Sequence, residues 1–209
     1  VVSFTVDKKD KEAGDIVLDI KNLSAMGNHG VMGLIDFSLT VRAGEIVGLA
    51  GVDGNGQTEL VESLTGLRKL EGGSIILDGV DISSSSIRDR IEAGMAHIPE
   101  DRHKHGLVLD YSLEENMVLE IYNKPPYSRN GFLNKDEIRN HADKIIEDFD
   151  VRSGEGPVTI TRSMSGGNQQ KAIVGREVDH NPNLLIAVQP TRGLDVGSIE
   201  YIHKRLVEQ

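Results

Sequence analysis

The pattern of apolar and polar positions predicts an α/β domain. Residues 16–21 and 38–42 alternate between apolar and polar side chains, which is typical of antiparallel strands with one solvent-facing surface. Residues 46–51 form a mainly apolar run that leads into a glycine-rich segment, and residues 184–188 form a second apolar run. Continuous runs of this kind predict buried strands in a mainly parallel sheet that follows an N-terminal antiparallel β patch.

Helical periodicity dominates the middle of the chain. Ser112 and Glu115 have the spacing of a capping box, which predicts a helix that ends before Pro125. Asn134 begins a second helix in which apolar residues recur at helical spacing and predict a core-facing stripe. The members of this stripe are Ile138, Ala142, Ile145, Ile146 and Phe149.

These patterns divide the chain into four segments. Residues 1–15 are a charged linker, and residues 16–101 hold the antiparallel strands and the glycine-rich core. Residues 102–162 are predicted to form an inserted helical subdomain. Residues 163–209 hold a helix, the second apolar strand and a final helix. The sequence starts without Met, so we expect it to be part of a longer polypeptide whose domain continues beyond Gln209.

Composition narrows the classes of function. The 209 residues suffice for one domain with a core. A formal net charge of -10 argues against non-specific nucleic-acid binding, which needs a basic surface. The sequence has no cysteine, which excludes disulfides and thiol chemistry and is compatible with the cytoplasm. No apolar run approaches the roughly 18 residues of a membrane-spanning helix.

The glycine-rich segment predicts a phosphate-binding P-loop. Its spacing is Gly-x4-Gly-x-Thr from Gly51 to Thr58, between an apolar run and a helical pattern. Backbone N–H groups of such a loop, with the positive end of the next helix, form a cage for a phosphate. The predicted nucleotide contacts are Gly51, Gly54, Asn55, Gly56, Gln57, Thr58 and Glu59.

The P-loop position that normally carries lysine is Gln57. A lysine ammonium about 4 Å from a phosphate oxygen is worth on the order of 4 kcal/mol at an effective dielectric constant of about 20. Asp53 adds a negative charge to the same loop. We therefore expect the loop to keep its shape and to lose much of its electrostatic attraction for a nucleotide.

A second glycine motif, Met-Ser-Gly-Gly-Asn-Gln-Gln-Lys at residues 164–171, precedes a helical pattern and forms a predicted anion-facing nest. It is followed by the apolar strand and by Gln-Pro-Thr-Arg-Gly-Leu-Asp at residues 189–195. This order resembles the ATP-binding domains of ABC transporters, with P-loop, Q-loop, signature motif, Walker B strand and D-loop. The resemblance is strongest to the second ATPase module of sugar and nucleoside importers, and Ile-Pro-Glu-Asp-Arg at residues 98–102 also carries it.

The resemblance implies ATP and Mg²⁺ as cofactors and assigns a role to individual residues. Thr58 matches the Mg²⁺ ligand, Glu100 stands at the Q-loop position, and Asp195 matches the D-loop aspartate. Val188 replaces the Walker B aspartate, and Gln189 replaces the general-base glutamate, whose role an amide cannot perform at neutral pH. The signature residues implied to contact ATP are Ser165, Gly166, Gly167 and Asn168, the last in place of the usual Gln.

In the family, the P-loop of one module and the signature motif of another enclose each ATP. This chain keeps its signature motif but lacks the usual charges at positions 57, 188 and 189. Each missing catalytic group costs about 10²–10⁴ in rate. The implied function is an importer module that lends its signature motif to a partner's ATP while its own site is non-hydrolytic. ATPase activity is then expected of the full-length protein or complex, with little or none from this module alone.

The resemblance also implies partners and a location. A first ATPase module is expected ahead of Val1 on the same polypeptide, and the switch histidine is expected beyond Gln209. Transmembrane permease subunits would contact a groove formed by Glu100 and the helical subdomain, and an extracytoplasmic solute-binding protein would act indirectly. The module is expected to be peripheral, on the cytoplasmic face of the membrane, and to bind no nucleic acid.

Two other functions remain open from the sequence. The missing charges at positions 57, 188 and 189 are compatible with a structural or regulatory domain that binds no nucleotide. A soluble ABC-type ATPase of translation or DNA repair is the other alternative. That class would ordinarily need basic surface for nucleic acid, which a net charge of -10 does not favour.

Overall fold

The computed structural model describes residues 12–209, in which the chain divides after Ala96 into an N-terminal and a C-terminal unit. Most of the predicted linker, residues 1–11, lies outside the described residues. Within residues 12–209, the helices are all too short or too polar to cross a lipid bilayer.

The N-terminal unit is built on a four-stranded antiparallel sheet. Its elements are β1 (Ile16–Met26), β2 (Met32–Arg42), α1 (Gln57–Thr65), β3 (Gly72–Leu77), β4 (Val80–Asp81) and α2 (Ile87–Glu92), and β5 (Met95–Ile98) crosses into the next unit. The sheet order is β2-β1-β3-β4. Leu18 and Ile20 of β1 are buried with Ile75 and Leu77 of β3, which gives the sheet its apolar face.

Local sequence signals account for this unit well. The two predicted antiparallel strands are confirmed, and both extend further than the alternating pattern indicated, because β1 and β2 continue as a long hairpin with β-bulges. The predicted short strand at residues 74–77 is confirmed within β3, and Asp78 and Gly79 turn the chain with φ of 48° and 78°. Such left-handed pairs suit two-residue hairpins.

The apolar run at residues 46–51 does not form the strand predicted to feed the glycine loop. Ile46 and Leu49 are 59% and 55% exposed, and the segment has no regular secondary structure. A strand needs a neighbour to satisfy its backbone N–H and C=O groups, and the sheet of this unit contains only β1 to β4 within the described residues. Apolar composition alone therefore predicted a strand that has no pairing partner in this sheet.

The C-terminal unit is mainly helical. Its elements are α3 (Leu113–Met117), β6 (Ser128–Arg129), β7 (Phe132–Leu133), α4 (Lys135–Asp148), α5 (Gly166–Asp179), β8 (Leu184–Ala187) and α6 (Val196–Glu208). Strand β8 pairs with β5, and just beyond it the Val188 N–H donates to the Ile98 carbonyl at 2.9 Å. The chain is thus α/β with an N-terminal antiparallel sheet, as predicted.

Helix α5 lies at the centre of the C-terminal core. Ala172, Ile173 and Val174 are fully buried in a cluster with residues of α4, including Ile145. A Cβ at Gly175 would stand 2.7 Å from Ile145 Cγ2, so the glycine allows α4 to pack closely against α5. The predicted core stripe of α4 is confirmed by the burial of Ile138, Ala142, Ile145 and Phe149.

Helix starts follow the predicted caps, but one helix ends early. The Asn134 side chain accepts from the Glu137 N–H, and Ser112 and Glu115 form a capping box. Helix α3 nevertheless ends at Met117 and does not continue toward Pro125. At this end of the helix, the Asn116 carbonyl accepts from the Arg176 guanidinium at 3.3 Å.

Candidate functional site

The loop before α1 bends through glycines in left-handed conformations. Gly54 and Gly56 have φ of 85° and 94°, values that residues with a Cβ rarely adopt. Gly56 is the N-cap of α1 and has no side chain with which to cap the helix. The N–H groups of the first turn therefore lack the acceptor that a Ser or Asp N-cap would supply, which is an arrangement suited to phosphate oxygens.

A close contact with β2 shapes this loop. A Cβ at Gly56 would stand 2.7 Å from the Gly33 carbonyl oxygen, so the two backbones approach closely. Glu59 packs over the same strand, because a Cβ at Gly33 would stand 2.6 Å from Glu59 Cγ. Glu59 was predicted to contact the nucleotide, and here its side chain covers Gly33.

The Gln57 side chain lies against the backbone of its own loop. Its Nε2 donates to the Val52 carbonyl at 3.3 Å, and a Cβ at Gly51 would stand 2.2 Å from the same nitrogen. The Asn55 N–H also donates to the Val52 carbonyl, at 3.2 Å. Gln57 thus stabilises the turn of the loop, with Gly51 providing the space.

The residues at this site fit a phosphate better than a metal ion. Thr58 is exposed at the start of α1 and offers one hydroxyl oxygen. Mg²⁺ usually takes carboxylate oxygens in addition to phosphate and water. Residues 12–209 contain no group of three or more His, Asp or Glu side chains that could hold a metal.

The signature motif begins α5 with Ser165 as the N-cap. The Ser165 Oγ accepts from the Asn168 N–H at 3.4 Å and from the Asn168 side-chain amide at 2.9 Å. The Asn168 Oδ1 accepts from the backbone N–H of Arg152 at 2.8 Å. The segment between α4 and α5 is therefore hydrogen-bonded to the signature motif through Asn168.

Two side chains lie close to the paired glycines of the signature motif. A Cβ at Gly166 would stand 2.8 Å from a guanidinium nitrogen of Arg102, and a Cβ at Gly167 would stand 2.6 Å from Ser198 Oγ at the start of α6. Any larger residue at either position would displace one of these side chains. The glycines thus serve close packing of the C-terminal unit as well as backbone access.

Asp195 caps α6 and does not stand free. Its carboxylate accepts from the Ser198 N–H at 3.0 Å and from the Ser198 hydroxyl at 2.8 Å. The hydrogen bond from the Ser198 side chain lowers the pKa of Asp195, with a further contribution from the Ser198 N–H. The candidate D-loop aspartate is therefore a helix cap that stays ionised over the physiological range.

Glu100 and Gln189, the candidate Q-loop and general-base positions, lie in contact. Gln189 Nε2 donates to Glu100 Oε1 at 3.1 Å, and Gln189 has a left-handed φ of 44°. Arg192 forms an ion pair with the same carboxylate oxygen. Arg102 donates to the Arg192 carbonyl at 3.3 Å. These four side chains form the Glu100 cluster, in which the Gln189 amide is already used as a donor.

The candidate residues fall in different units. The P-loop residues from Gly51 to Glu59 belong to the N-terminal unit, and Glu100, the signature motif, Gln189 and Asp195 belong to the C-terminal unit. Sequence reasoning missed Arg102, Arg192 and Arg152 as neighbours of these residues. Arg102 and Arg192 lie inside the motifs named above, so the sequence contained a signal for them. Arg152 makes its contact through a backbone N–H, for which the sequence contains no signal.

The sequence is similar to that of known ATP-binding proteins. The family model described as ABC transporter matches residues 34–192. The chain is 53% identical over 208 residues to the guanosine import ATP-binding protein of Bacillus subtilis, covering 100% of this chain and 41% of that protein. It is 53% identical over 207 residues to the nucleoside import ATP-binding protein of Lactococcus lactis, covering 99% of this chain and 41% of that protein. The chain thus spans about two-fifths of the length of these relatives.

A solved nucleotide-free ATP-binding cassette from an ABC transporter has the same fold. It superposes with a TM-score of 0.76 at 19% identity, covering 93% of this chain and 77% of that chain. The fold likeness agrees with the family match, which extends from β2 through the signature motif and past β8. The chain belongs to the ABC transporter family and is an ATP-binding domain of that family.

Proposed function

We propose that this chain is an ATP-binding module of an ABC importer for nucleosides or simple sugars. In this proposal it lends Ser165, Gly166 and Gly167 to an ATP held by a partner ATPase module. Its own P-loop binds ATP and Mg²⁺ weakly and does not hydrolyse ATP. The domain division predicted from the sequence, with a helical subdomain over residues 102–162, belongs to the same proposal.

The observation that carries the proposal is the contrast between the signature motif and the general-base position. The signature motif keeps an ordered N-cap and a pair of glycines at the start of a 14-residue helix. At the general-base position, by contrast, the Gln189 amide donates to Glu100 and cannot accept a proton from water. The module therefore retains the groups that present a helix N-terminus and lacks those that activate water.

The electrostatics of the P-loop support the second half of the proposal. Gln57 brings no positive charge, and its amide is engaged with the Val52 carbonyl. The glycine backbone still provides N–H groups for a phosphate, so weak binding is expected where tight binding would need a cation. Thr58 offers a single hydroxyl oxygen, so Mg²⁺ would depend largely on the nucleotide and water for its other ligands.

Partners and solute are proposed from the relatives. The two relatives reported above are named for guanosine and nucleoside import, which favours a nucleoside over a sugar. Because the chain covers 41% of each, a further ATPase module on the same polypeptide is part of the proposal. Permease subunits would contact Glu100 and the helical subdomain, a solute-binding protein would act through them, and the module would lie on the cytoplasmic face of the membrane.

The proposal is tested in the assembled transporter that contains this chain. S165A is expected to reduce ATP hydrolysis about 10–100-fold, since a donor to the phosphates of the partner's ATP is lost. T58A, in the P-loop of this chain, is expected to change hydrolysis less than twofold. S163A is the matched control, because Ser163 is an exposed neighbour whose hydroxyl donates only to the Ile160 carbonyl.

Two results would overturn the proposal. If the S165A transporter hydrolysed ATP at the wild-type rate, Ser165 would not contribute to hydrolysis of the partner's ATP. Mg²⁺-dependent turnover of ATP by this chain alone would show that its own site is catalytic. Calorimetry of this chain with ATP separates the proposal from the alternative of a structural domain without nucleotide, which predicts no heat of binding with or without Mg²⁺.

A further inference from the structure

The start of α5 differs from two other serine-capped helices of this chain in the direction of one hydrogen bond. At α2 the Ser86 hydroxyl donates to the Asp89 carboxylate at 2.7 Å, and at α3 the Ser112 hydroxyl donates to Glu115 at 2.8 Å. In both, an acidic residue three positions after the N-cap accepts the hydroxyl proton. At α5 the residue in that position is Asn168, whose amide donates to Ser165.

The orientation of the Asn168 amide is fixed by a group that can only donate. The backbone N–H of Arg152 lies 2.8 Å from Asn168 Oδ1, so the carbonyl end of the amide must face Arg152. The NH₂ end must then face Ser165 Oγ, at 2.9 Å. Asparagine can satisfy both contacts in this one orientation, because flipping the amide would place two donors against each other at Arg152.

The consequence concerns the proton of Ser165. Its oxygen accepts from the Asn168 side chain and, more weakly, from the Asn168 backbone N–H at 3.4 Å. A hydroxyl has two acceptor lone pairs and one donor proton, so both lone pairs are used and the proton remains. Over residues 12–209, the Ser165 hydroxyl donates no hydrogen bond that would use this proton. Ser165 is exposed, so its proton is available to an acceptor from outside the chain.

We propose that Asn168 is a positioning residue that holds the Ser165 hydroxyl as an outward donor to a phosphate oxygen of the partner module's ATP. This inference rests on the proposed function. It also gives a physical reason for an amide at position 168, since Asp or Glu there would form the capping box of α2 and α3 and use the proton within the chain. Asn168 has the same amide group as the usual glutamine, on a shorter side chain.

N168D is the sharpest variant, because it keeps the shape of the side chain and reverses the hydrogen bond. In the isolated chain, the introduced carboxylate should accept the Ser165 proton, so its pKa should lie below that of an ordinary aspartate. The Ser86 hydroxyl lowers the pKa of Asp89 in the same way. NMR titration of N168D and of S165A/N168D measures this, and the pKa should be higher in the double variant than in N168D, although the Arg152 N–H still donates to the same carboxylate.

Function is measured in the assembled transporter as kcat and KM for ATP. N168D should reduce kcat about 10–100-fold, with an unfolding midpoint equal to or above that of the wild type, because the new pair is a regular helix cap. A purely structural role would instead lower stability and activity together. In the S165A background, N168D should change kcat less than threefold, which separates loss of the Ser165 proton from the effect of a negative charge.

The outcomes distinguish this inference from the proposed function. If S165A reduces hydrolysis and N168D alone retains the wild-type kcat, the positioning role of Asn168 is wrong and the signature role stands. If N168D lowers kcat equally with and without S165A, its effect does not pass through Ser165, and the inference also fails. If S165A leaves hydrolysis unchanged, both fail together. N168Q, which keeps the amide, should retain more ATP hydrolysis than N168A.

Discussion

Gln57 and Gly51 share one space in the P-loop. A Cβ at Gly51 would stand 2.2 Å from Gln57 Nε2, and that nitrogen donates to the Val52 carbonyl at 3.3 Å. The side chain that takes the place of the usual phosphate lysine is therefore folded onto the loop. The loop keeps its glycine geometry with an uncharged side chain as its internal support.

The first prediction concerns this substitution. Q57K should tighten ATP binding by this chain about 10–100-fold, because a cation near the phosphates restores part of the roughly 4 kcal/mol expected at 4 Å and an effective dielectric constant of about 20. Q57M is the matched control, with a similar length and no charge, and should not gain affinity. Calorimetry of the three proteins with ATP measures the difference. Equal affinities for Q57K and Q57M would mean that charge does not limit binding.

A second prediction concerns the end of α1. Arg90 is buried, and its guanidinium donates to the Ser63 and Leu64 carbonyls at 2.7 Å each and to the carbonyls of Ser83 and Ser85. R90M should lower the free energy of unfolding by about 2–4 kcal/mol, because buried carbonyls lose their donors. R88M alters an exposed arginine of the same helix and should cost less than about 0.5 kcal/mol. Denaturant unfolding of both variants checks this, and equal losses would contradict the role of Arg90.

Local chemistry made much of this fold predictable. Asn134 and Ser112 both cap the helices that their spacing indicated, since a cap is decided by residues three positions apart. The turn at Asp78 and Gly79 is equally local. Where an element depends on groups distant in sequence, prediction was weaker. Helix α3 ends at Met117, next to the Asn116 carbonyl, which accepts from Arg176, a residue 60 positions away.

The candidate site shows the same limit. The motifs identified Glu100, Ser165 and Gln189 as candidate site residues, but they did not predict which groups the side chains contact. The contact between Gln189 and Glu100 spans 89 positions, and the contact between Asn168 and Arg152 uses a backbone N–H that any residue would provide. The strand predicted at residues 46–51 was wrong for a related reason, because pairing depends on a neighbouring strand and not on apolar composition.

A third prediction concerns the Glu100 cluster. Q189E restores a carboxylate at the general-base position, but it replaces a donor 3.1 Å from Glu100 by a second acceptor. The two carboxylates would repel each other and raise the pKa of the pair, with Arg192 only partly offsetting this. Q189E alone should therefore not give ATP hydrolysis by this chain, and it should lower the free energy of unfolding at pH 7 by about 0.5–1.5 kcal/mol relative to pH 5.

The matched control for this prediction is E100Q/Q189E. It keeps one carboxylate and one amide in contact and should recover the stability of the wild type at pH 7. Unfolding curves at pH 5 and pH 7 for the wild type, Q189E and the double variant give the comparison. A Q189E protein as stable as the wild type at both pH values would show that the two side chains do not interact in solution.

The last prediction concerns the pH dependence of stability in the C-terminal core. Burial raises the pKa of Glu120 from its ordinary value of 4.5 to about 7, with the Glu177 carboxylate adding to the shift and Arg176 opposing it. Between these values the unfolded chain is ionised while the folded chain holds the proton. Stability from this group is thus present below about pH 4.5 and is lost as pH rises through 7, by at most about 1.4 kcal/mol per pH unit.

E120Q removes this dependence and should gain stability relative to the wild type as pH rises from 5 to 8. Burial lowers the pKa of His97, His141 and His180, so these groups act in the opposite direction and lose stability as pH falls below about 6.5. The informative quantity is therefore the difference between E120Q and the wild type at each pH, in which the histidine contributions cancel. E147Q, at an exposed position of α4, should follow the wild type throughout. A flat difference for E120Q would mean that Glu120 is ionised in the folded protein at all these pH values.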